Sequence, residues 1–262
     1  MSWLDRLRCR PAPPPLGPME EALAAFQAGD YARALDLWEP LARAGSARAQ
    51  ANIGACFAEG MGVPVNPPLA LKWLTLAAEA GHAAGQRNLA ALYLRGGEGV
   101  EPDFVRAAEL YRLAAEQGDA LAQDMLSWML LEGEVMPSDP EEARRWALAA
   151  AEAGVASSMT RLGMLYHHAM GVERDVAEAA RWWRMAAERG DADGQAMLGA
   201  AHHLGAGVGR DGVTALAWLI RASRGGSTLA QPFLPAVRAS LDPGQMAEAE
   251  HRAAAPLEAF SP

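Results

Sequence analysis

Two histidine doublets are the residues of this chain whose type and spacing could support chemistry. The first lies in LYHHAMGV, residues 165–172, and the second in AHHLGAGV, residues 201–208. Neighbouring imidazoles can exchange protons as acid and base, and imidazole is a common zinc ligand. Zinc takes three or four ligands, however, and no cysteine or carboxylate recurs in register with the doublets. We therefore predict no metal site and no cofactor, and a metal-dependent or hydrolytic enzyme is kept as an alternative function.

The composition narrows the possible partners and compartments. The 262 residues carry a net charge of −9 and two cysteines, Cys9 and Cys56. An acidic chain has no general attraction for nucleic acid or for an anionic membrane. Two cysteines without a CxxC spacing form neither a disulfide framework nor a zinc finger, so both are expected to be free thiols. No apolar run reaches the length of a signal-peptide core or a membrane span, and we expect a cytoplasmic protein.

A period of 36 residues organises the chain and must position the histidines. Trp146, Trp182 and Trp218 follow one another at intervals of 36 residues. Glycines close each unit at the same interval with one insertion, and they are Gly45, Gly81, Gly118, Gly154, Gly190 and Gly226. The predicted units are therefore 46–81, 82–118, 119–154, 155–190 and 191–226. The residue added to the second unit lies in RGGEGV, 95–100, because a loop tolerates an insertion at little cost.

The pattern within each unit predicts two helices joined by a glycine-rich turn. Ser46, Asp119 and Asp191 are expected to cap first helices. A glycine inside the first helix is unfavourable unless the partner helix approaches closely, and it recurs at Gly54, Gly163 and Gly199. The expected caps of the second helices are Asn66, Asp103, Asp139, Asp175 and Asp211. We predict that the recurring tryptophans of the second helices pack in the core, namely Trp73, Trp146, Trp182 and Trp218.

The segments that flank the five units predict atypical ends for the array. Residues 19–45 have the pattern of a degenerate first hairpin, and residues 227–254 restart the pattern with two prolines and then an Asp-capped helix. Repeat arrays need such ends to cover their last apolar face. Residues 1–18 are expected to be a disordered, Pro-rich leader or a small docking segment, and residues 255–262 a loose tail.

The recurring motifs resemble the Sel-one-like repeat family, a relative of the tetratricopeptide repeat. QANIGACFAEGMGV with ALKWLTLAAEAG, and TRLGMLYHHAMGV with AEAARWWRMAAERG, carry the resemblance. It implies an all-α fold, a right-handed α-solenoid superhelix of antiparallel helix pairs forming one solenoid over 19–254. It also implies an adaptor surface without catalytic residues. The third unit departs from the pattern, with Ser127 in place of the glycine and GEVMPSD in place of the usual turn.

The resemblance, combined with helix geometry, predicts the residues that would bind a partner. First helices of such superhelices line the concave face, and their inward positions define the candidate groove residues Arg48, Asn52, Arg87, Asn88, Arg95, Trp128, Arg161, Met164, His167 and His203. Arginine and asparagine can hold a carboxylate or an extended peptide backbone, whereas Trp128 and Met164 can hold an apolar anchor. Trp128 lies off the recurring tryptophan position. In the alternative reading, the arginines solvate a helix face and pair with nearby glutamates.

The periodicity also reinterprets the histidines. His167 and His203 are 36 residues apart and occupy equivalent positions, whereas His202 stands where Tyr166 stands one unit earlier. A pH-sensitive polar patch is therefore favoured over a metal site. A phosphate-binding glycine loop, an HExxH motif and a GxSxG elbow are absent from the sequence. We predict a non-enzymatic, monomeric scaffold or adaptor that binds a protein or peptide, with no nucleic acid and no membrane insertion, and keep a self-associating assembly element as a further alternative.

Overall fold

A computed structural model of the protein describes residues 16–257, which form fourteen α-helices and one 3₁₀ helix. The described chain divides into two compact units at Asp103 and Phe104. Unit 1 contains α1 (Pro18–Gln27), α2 (Tyr31–Arg43), α3 (Ala47–Glu59), α4 (Pro67–Glu79) and α5 (Ala83–Arg95). Within it, α1 packs on α2, α3 packs on α4, and each pair contacts the helix that follows.

Unit 2 contains nine α-helices and the 3₁₀ helix Thr228–Ala230. The helices are α6 (Phe104–Glu116), α7 (Ala120–Glu132), α8 (Pro140–Glu152), α9 (Ala156–His168), α10 (Val176–Glu188), α11 (Ala192–Leu204), α12 (Gly212–Arg224), α13 (Leu234–Ala239) and α14 (Pro243–Ala254). The pairs α7–α8, α9–α10 and α11–α12 stack in order, and first helices of neighbouring pairs also contact each other. The fold is thus an α-solenoid of antiparallel helix pairs, as the sequence predicts.

Most predicted capping residues begin the helices to which they were assigned. The side chains of Ser46, Asp119 and Asp191 accept hydrogen bonds from backbone amides in the first turns of α3, α7 and α11. Second helices begin in the same way at Asn66, Asp139, Asp175 and Asp211. His82 caps α5 through Nδ1, which accepts from the Gly85 amide at 3.1 Å. The sequence pattern does not predict this cap, because histidine is not among the favoured N-cap residues.

The mid-helix glycines allow the two helices of a pair to touch. A Cβ atom at Gly54 would lie 2.6 Å from Leu74 Cγ, and one at Gly199 would lie 2.8 Å from Leu219 Cγ. Gly163 faces the Trp183 indole in the same way. The predicted close approach is therefore confirmed. In the third repeat, buried Ser127 takes the place of the glycine and Ala147 takes the place of the larger residue that faces it. The larger first-helix residue is thus matched by a smaller residue on the second helix.

The tryptophan series lies nearer the edge of the core than predicted. Trp218 is 4% exposed, but Trp73, Trp146 and Trp182 are only partly buried. The deepest position is the next residue along each second helix, where the fully buried side chains are Leu74, Ala147, Trp183 and Leu219. One residue advances a helix by about 100°. In the first repeat the buried stripe is Ala70, Leu74, Ala77 and Ala78, so Trp73 lies at its margin while the neighbouring small residues stay in the core.

A buried glutamine ties each of four repeats to the helix before it. The Gln50 side chain donates to the Ala42 carbonyl at 3.0 Å, and Gln123 donates to the Ala115 carbonyl at 3.1 Å. Gln86 and Gln195 make the same bond to Ala78 and Ala187. Each of these carbonyls also accepts from the backbone amide of the glycine that closes the unit, so the glutamine supplies a second donor near the end of the second helix. Met159 takes this position in the fourth repeat.

The C-terminal end of the described chain differs from the regular helix pairs. Residues 19–45 contain the α1–α2 hairpin, and the prolines after Gly226 divide the next segment into the 3₁₀ helix and the short α13. Helix α14 starts at Asp242 with a reciprocal capping box. The Arg221 guanidinium fixes the end of α14 by donating to the Arg252 carbonyl at 3.0 Å and to the Ala255 carbonyl. The predictions for residues 1–15 and 258–262, including Cys9, concern residues outside this description.

That residues 19–254 form one continuous solenoid stays a prediction. No helix in the range 16–257 is long and apolar enough to cross a membrane, and the longest helices have 13 residues.

The residue that follows α9, Ala169, has the left-handed (αL) backbone conformation, and this generates a stability prediction. First helices end in this conformation at Gly60, Gly133 and Gly205, but at Ala169 in the fourth repeat, where φ is 57°. Replacing Ala169→Gly should raise the free energy of unfolding by about 0.5–1 kcal/mol, because glycine carries no Cβ penalty there. Urea unfolding followed by circular dichroism measures the change.

Gly205→Ala is the matched control for this prediction. A Cβ at Gly205 would lie 3.5 Å from its nearest neighbour, so the added methyl group has space and only the backbone term changes. This variant should lose stability by a similar amount. Equal stability of the Ala169→Gly variant and the native protein would contradict the prediction.

Candidate partner-binding surfaces

The ten predicted groove residues fall into two sets, one in each unit. Unit 1 carries its set on α3 and α5, which contact each other, and the set is Arg48, Asn52, Arg87, Asn88 and Arg95. Unit 2 carries its set on α7, α9 and α11, also in contact in that order, and the set is Trp128, Arg161, Met164, His167 and His203. All ten therefore lie on first helices, as the register requires.

Two of the three predicted arginines of unit 1, Arg87 and Arg95, already have partners. Arg87 Nε and Nη2 both donate to Asn88 Oδ1, at 3.2 and 3.1 Å. Arg95 forms an ion pair with Glu59, one repeat earlier, at 2.8 Å, and both side chains are about half exposed. The alternative reading, in which these arginines pair with nearby glutamates, is therefore confirmed for Arg95. An exposed ion pair of this kind contributes little stability and can exchange with a ligand.

Asn52 and Arg48 complete the unit 1 set on α3. Arg48 is exposed, whereas Asn52 is partly buried and its Nδ2 is sealed from solvent. Within the described residues Nδ2 has no hydrogen-bond acceptor. Of these two side chains, only the Arg48 guanidinium is therefore exposed on the surface of α3.

Arg161 of unit 2 belongs to a closed polar network rather than to an open binding surface. Its guanidinium bonds to Asp124 Oδ1, and the Asp124 carboxylate also accepts from Ser157 Oγ at 3.0 Å and Ser158 Oγ at 2.5 Å. The side chains of Asp124 and Arg161 are each only 14% exposed. Both oxygens of this carboxylate accept hydrogen bonds from side chains of α9. The network instead holds α9 against α7.

The sequence contained a signal for this network that the groove prediction did not use. Ser158 is fully buried at a position where the other repeats have Ala49, Gly85, Ala122 and Gly194. A hydroxyl group at a small apolar position implies a hydrogen-bond partner, because burying it unpaired is costly. The sequence alone does not show that the Ser158 hydroxyl lies within hydrogen-bond distance of Asp124, because the two residues belong to different repeats.

Trp128 is the large apolar residue that the predicted surface leaves accessible. It is 41% exposed near the middle of α7, and Leu121, two turns earlier on the same helix face, is 53% exposed. Met164 instead packs partly buried against the cluster that contains Trp183 and Leu198. Of the two predicted apolar anchors, only Trp128 is exposed on the surface.

His167 is a packed residue at the end of α9. Its ring lies 5.4 Å from the Trp183 ring and 4.7 Å from the His168 ring, the latter in an edge-to-face arrangement. Nδ1 is buried and has no hydrogen-bond partner in the described part of the chain. Burial lowers the pKa of His167, and the nearby His168 and Arg174 lower it further.

His202 replaces the repeat aromatic, as predicted, and its Nδ1 donates to the Gly209 carbonyl at 3.2 Å. Burial is the main cause that lowers the pKa of His202. His203, the predicted neighbour of His167, is partly buried. Among residues 16–257 no group of three or more His, Cys, Asp or Glu side chains is placed to hold a metal ion. Cys56 is a buried free thiol, and burial raises its pKa to about 11, which disfavours the reactive thiolate.

The stacked pairs and their surfaces define an α-solenoid built from repeats of 36 or 37 residues. The Sel1 repeat family model matches five consecutive segments, 47–82, 83–119, 120–155, 156–191 and 192–227. The chain therefore belongs to the Sel1 repeat family, and the resemblance found in the sequence is confirmed. Each segment begins one residue later than the predicted unit. Proteins of this family are generally protein-interaction scaffolds.

Known proteins similar to this chain include a fungal regulator and two bacterial repeat proteins. Chitin synthase regulatory factor 3 of Schizosaccharomyces pombe is 29% identical over 155 residues, which cover 56% of this chain and 17% of the fungal protein. The structure of c5321, a protective antigen of uropathogenic Escherichia coli with an SLR fold, matches with a TM-score of 0.82 and 31% identity. That match covers 90% of this chain and 51% of the antigen, so this chain spans about half its length. A Sel1 repeat protein from Oxalobacter formigenes matches with a TM-score of 0.80 and 26% identity, over 92% of this chain and 98% of that one.

The Asp124 network generates a prediction about stability. Asp124→Ala should lower the free energy of unfolding by about 2–4 kcal/mol, because it leaves the Arg161 guanidinium and two hydroxyl groups without their acceptor. The double variant Asp124→Leu, Arg161→Met should lose less than the single variant, since no charge remains buried. Urea unfolding of the three proteins checks this order. A larger loss in the double variant would contradict the assignment of the network.

The partly buried imidazole of His167 generates a pH prediction. Its pKa in the folded protein lies below the unfolded value, so the unfolded chain binds the proton more readily. Stability contributed by the neutral ring is therefore present above the unfolded pKa and is lost as pH falls below about 6.5. His167→Gln should reduce the slope of unfolding free energy against pH between about pH 7 and pH 5. His251→Gln, at an exposed residue of α14, is the control, because it leaves the partly buried imidazoles of His167 and His202 in place. An unchanged slope in His167→Gln would refute the prediction.

Proposed function

We propose that this protein is a non-enzymatic scaffold that binds a protein or peptide partner through the exposed faces of its first helices. The observation that carries the proposal is Trp128, an exposed indole on a first helix and away from the recurring tryptophan position of the second helices. Large exposed aromatic side chains are favoured as anchors of protein interfaces, since they bury much apolar area with few rotatable bonds.

The surroundings of Trp128 support binding without rearrangement. Helix α7 is held against α9 by the Asp124 network, and its N-terminus is fixed by the Asp119 cap. A rigid helix face loses little conformational entropy when a partner binds. Leu121 extends the apolar surface along the same face. The partner that fits this surface carries a large apolar side chain.

The comparisons support a scaffold rather than an enzyme. Sel1 repeat proteins generally act through protein contacts, and the fungal relative is named as a regulatory factor. We extend this class of role, but not that protein's target, to the present chain. The acidic net charge favours a protein partner over nucleic acid, and we propose the cytoplasm as the compartment.

Site-specific photocrosslinking tests this proposal directly. A benzophenone amino acid placed at Trp128 should form crosslinks to one protein or a small set in living cells. The matched control places the same group at Leu113, which is 48% exposed on α6, a second helix of the same unit. Mass spectrometry identifies the crosslinked protein.

The identified partner then permits a quantitative test. Trp128→Ala should weaken its binding about tenfold or more, as expected for an aromatic anchor, without changing the helical circular dichroism. Leu113→Ala should leave binding unchanged. Crosslinks to a second copy of this chain would favour the self-associating alternative, and equal crosslinking from both positions would contradict the proposed surface.

A further inference from the structure

The lengthened loop of the second repeat builds a feature that the scaffold surface does not explain. Gly97 and Val100 form an isolated antiparallel bridge, with both backbone hydrogen bonds at 2.9 Å. A Cβ atom at Gly97 would lie 2.7 Å from Pro67 Cγ, so the loop rests against the first turn of α4. The residue added to RGGEGV thus gives unit 1 a small closed flap of backbone beside α4.

A cavity of about 460 Å³ that is open to solvent is lined in part by this flap, through Gly96, Gly97 and Glu98, and all of its lining residues belong to unit 1. Ala58, Val65, Pro67 and Leu92 give it an apolar wall, and Arg95 and Glu98 stand at its polar edge. Leu92 is buried, whereas Val65 is 60% exposed. The volume lies in the range of cavities that bind ligands. The apolar lining suits an aliphatic side chain that enters from solvent.

The charges at the edge of the cavity select the rest of the ligand. The Arg95 guanidinium is compensated by Glu59 at 2.8 Å. Glu98 is exposed, and none of residues 16–257 forms an ion pair with it. One uncompensated carboxylate therefore remains at the edge, and the chain as a whole carries a charge of −9. A ligand with a cationic group is complementary to this edge.

We propose that this cavity binds an aliphatic side chain from an extended partner segment that carries lysine or arginine two residues away. Side chains two positions apart in an extended chain lie on the same face, about 7 Å apart. That spacing allows the aliphatic group to fill the cavity while the cation meets Glu98. The site lies in unit 1 and does not depend on Trp128, so its test is independent of the proposed scaffold surface.

Titration of the isotopically labelled full chain with short peptides tests the site. The probe is acetyl-Gly-Leu-Gly-Lys-Gly-amide, and nuclear magnetic resonance follows the backbone amide signals of Gly96, Gly97 and Gly99. We expect saturable shifts at these glycines. The same peptide with glutamate in place of lysine should bind about fivefold more weakly, since attraction becomes repulsion. The peptide with serine in place of leucine should give no saturable shift.

Two variants and a control complete the experiment. Glu98→Lys should reverse the preference between the lysine and glutamate peptides, and Val65→Asp should abolish binding of both. Glu79→Lys, at an exposed residue near the end of α4 that does not line the cavity, should keep the native preference.

The outcomes separate the two parts of the proposal. No saturable shift of the glycine signals in the native protein overturns the cavity as a binding site. Equal binding of the lysine and glutamate peptides, or an unchanged preference in Glu98→Lys, overturns the assignment of a cationic ligand. None of these results bears on crosslinking from position 128, so failure here and failure of the scaffold surface are distinguishable.

Discussion

The closeness of the two helices in each pair is the constraint on which the rest of this structure depends. At Gly54 and Gly199 there is no room for a side chain, because Leu74 and Leu219 of the partner helices pack directly against the glycine backbone. Close contact excludes water and fixes the direction of every other residue on both helices. The stacking of pairs and the exposure of one face of each first helix follow from this geometry.

Periodicity and local chemistry predicted most of the fold. Caps such as Asp139 and Asp211 act within three residues of their own position, and the glycines that end units lie in loops, so neither needs knowledge of distant contacts. The tryptophan series shows the limit of the same approach. Trp146 and Ala147 are neighbours in sequence, and only the position of the adjacent helices decides which of them is buried.

The candidate surfaces were less predictable because they depend on contacts between repeats. The register correctly placed Trp128 and Arg161 on first helices, but it could not show that Asp124 occupies the Arg161 guanidinium. Likewise, the loop insertion was visible in RGGEGV, whereas the cavity beneath it requires Pro67 and Leu92 from two different helices. Spacing along a chain indicates which residues share a face, and it does not indicate which of them are already paired.

The glutamine bonds between repeats bear on how such a chain can change over evolutionary time. Because Gln50, Gln123 and Gln195 each recognise only a backbone carbonyl, these bonds do not depend on the side chains of the preceding repeat. Gene duplication or deletion in whole repeats therefore preserves these junctions. The repeat at 155–190 is the exception, because it carries Met159 and depends on the side chain of Asp124 in the repeat before it. Recombination that separates these two repeats would leave Ser158 and Arg161 without the Asp124 carboxylate. The two repeats are therefore expected to be inherited together.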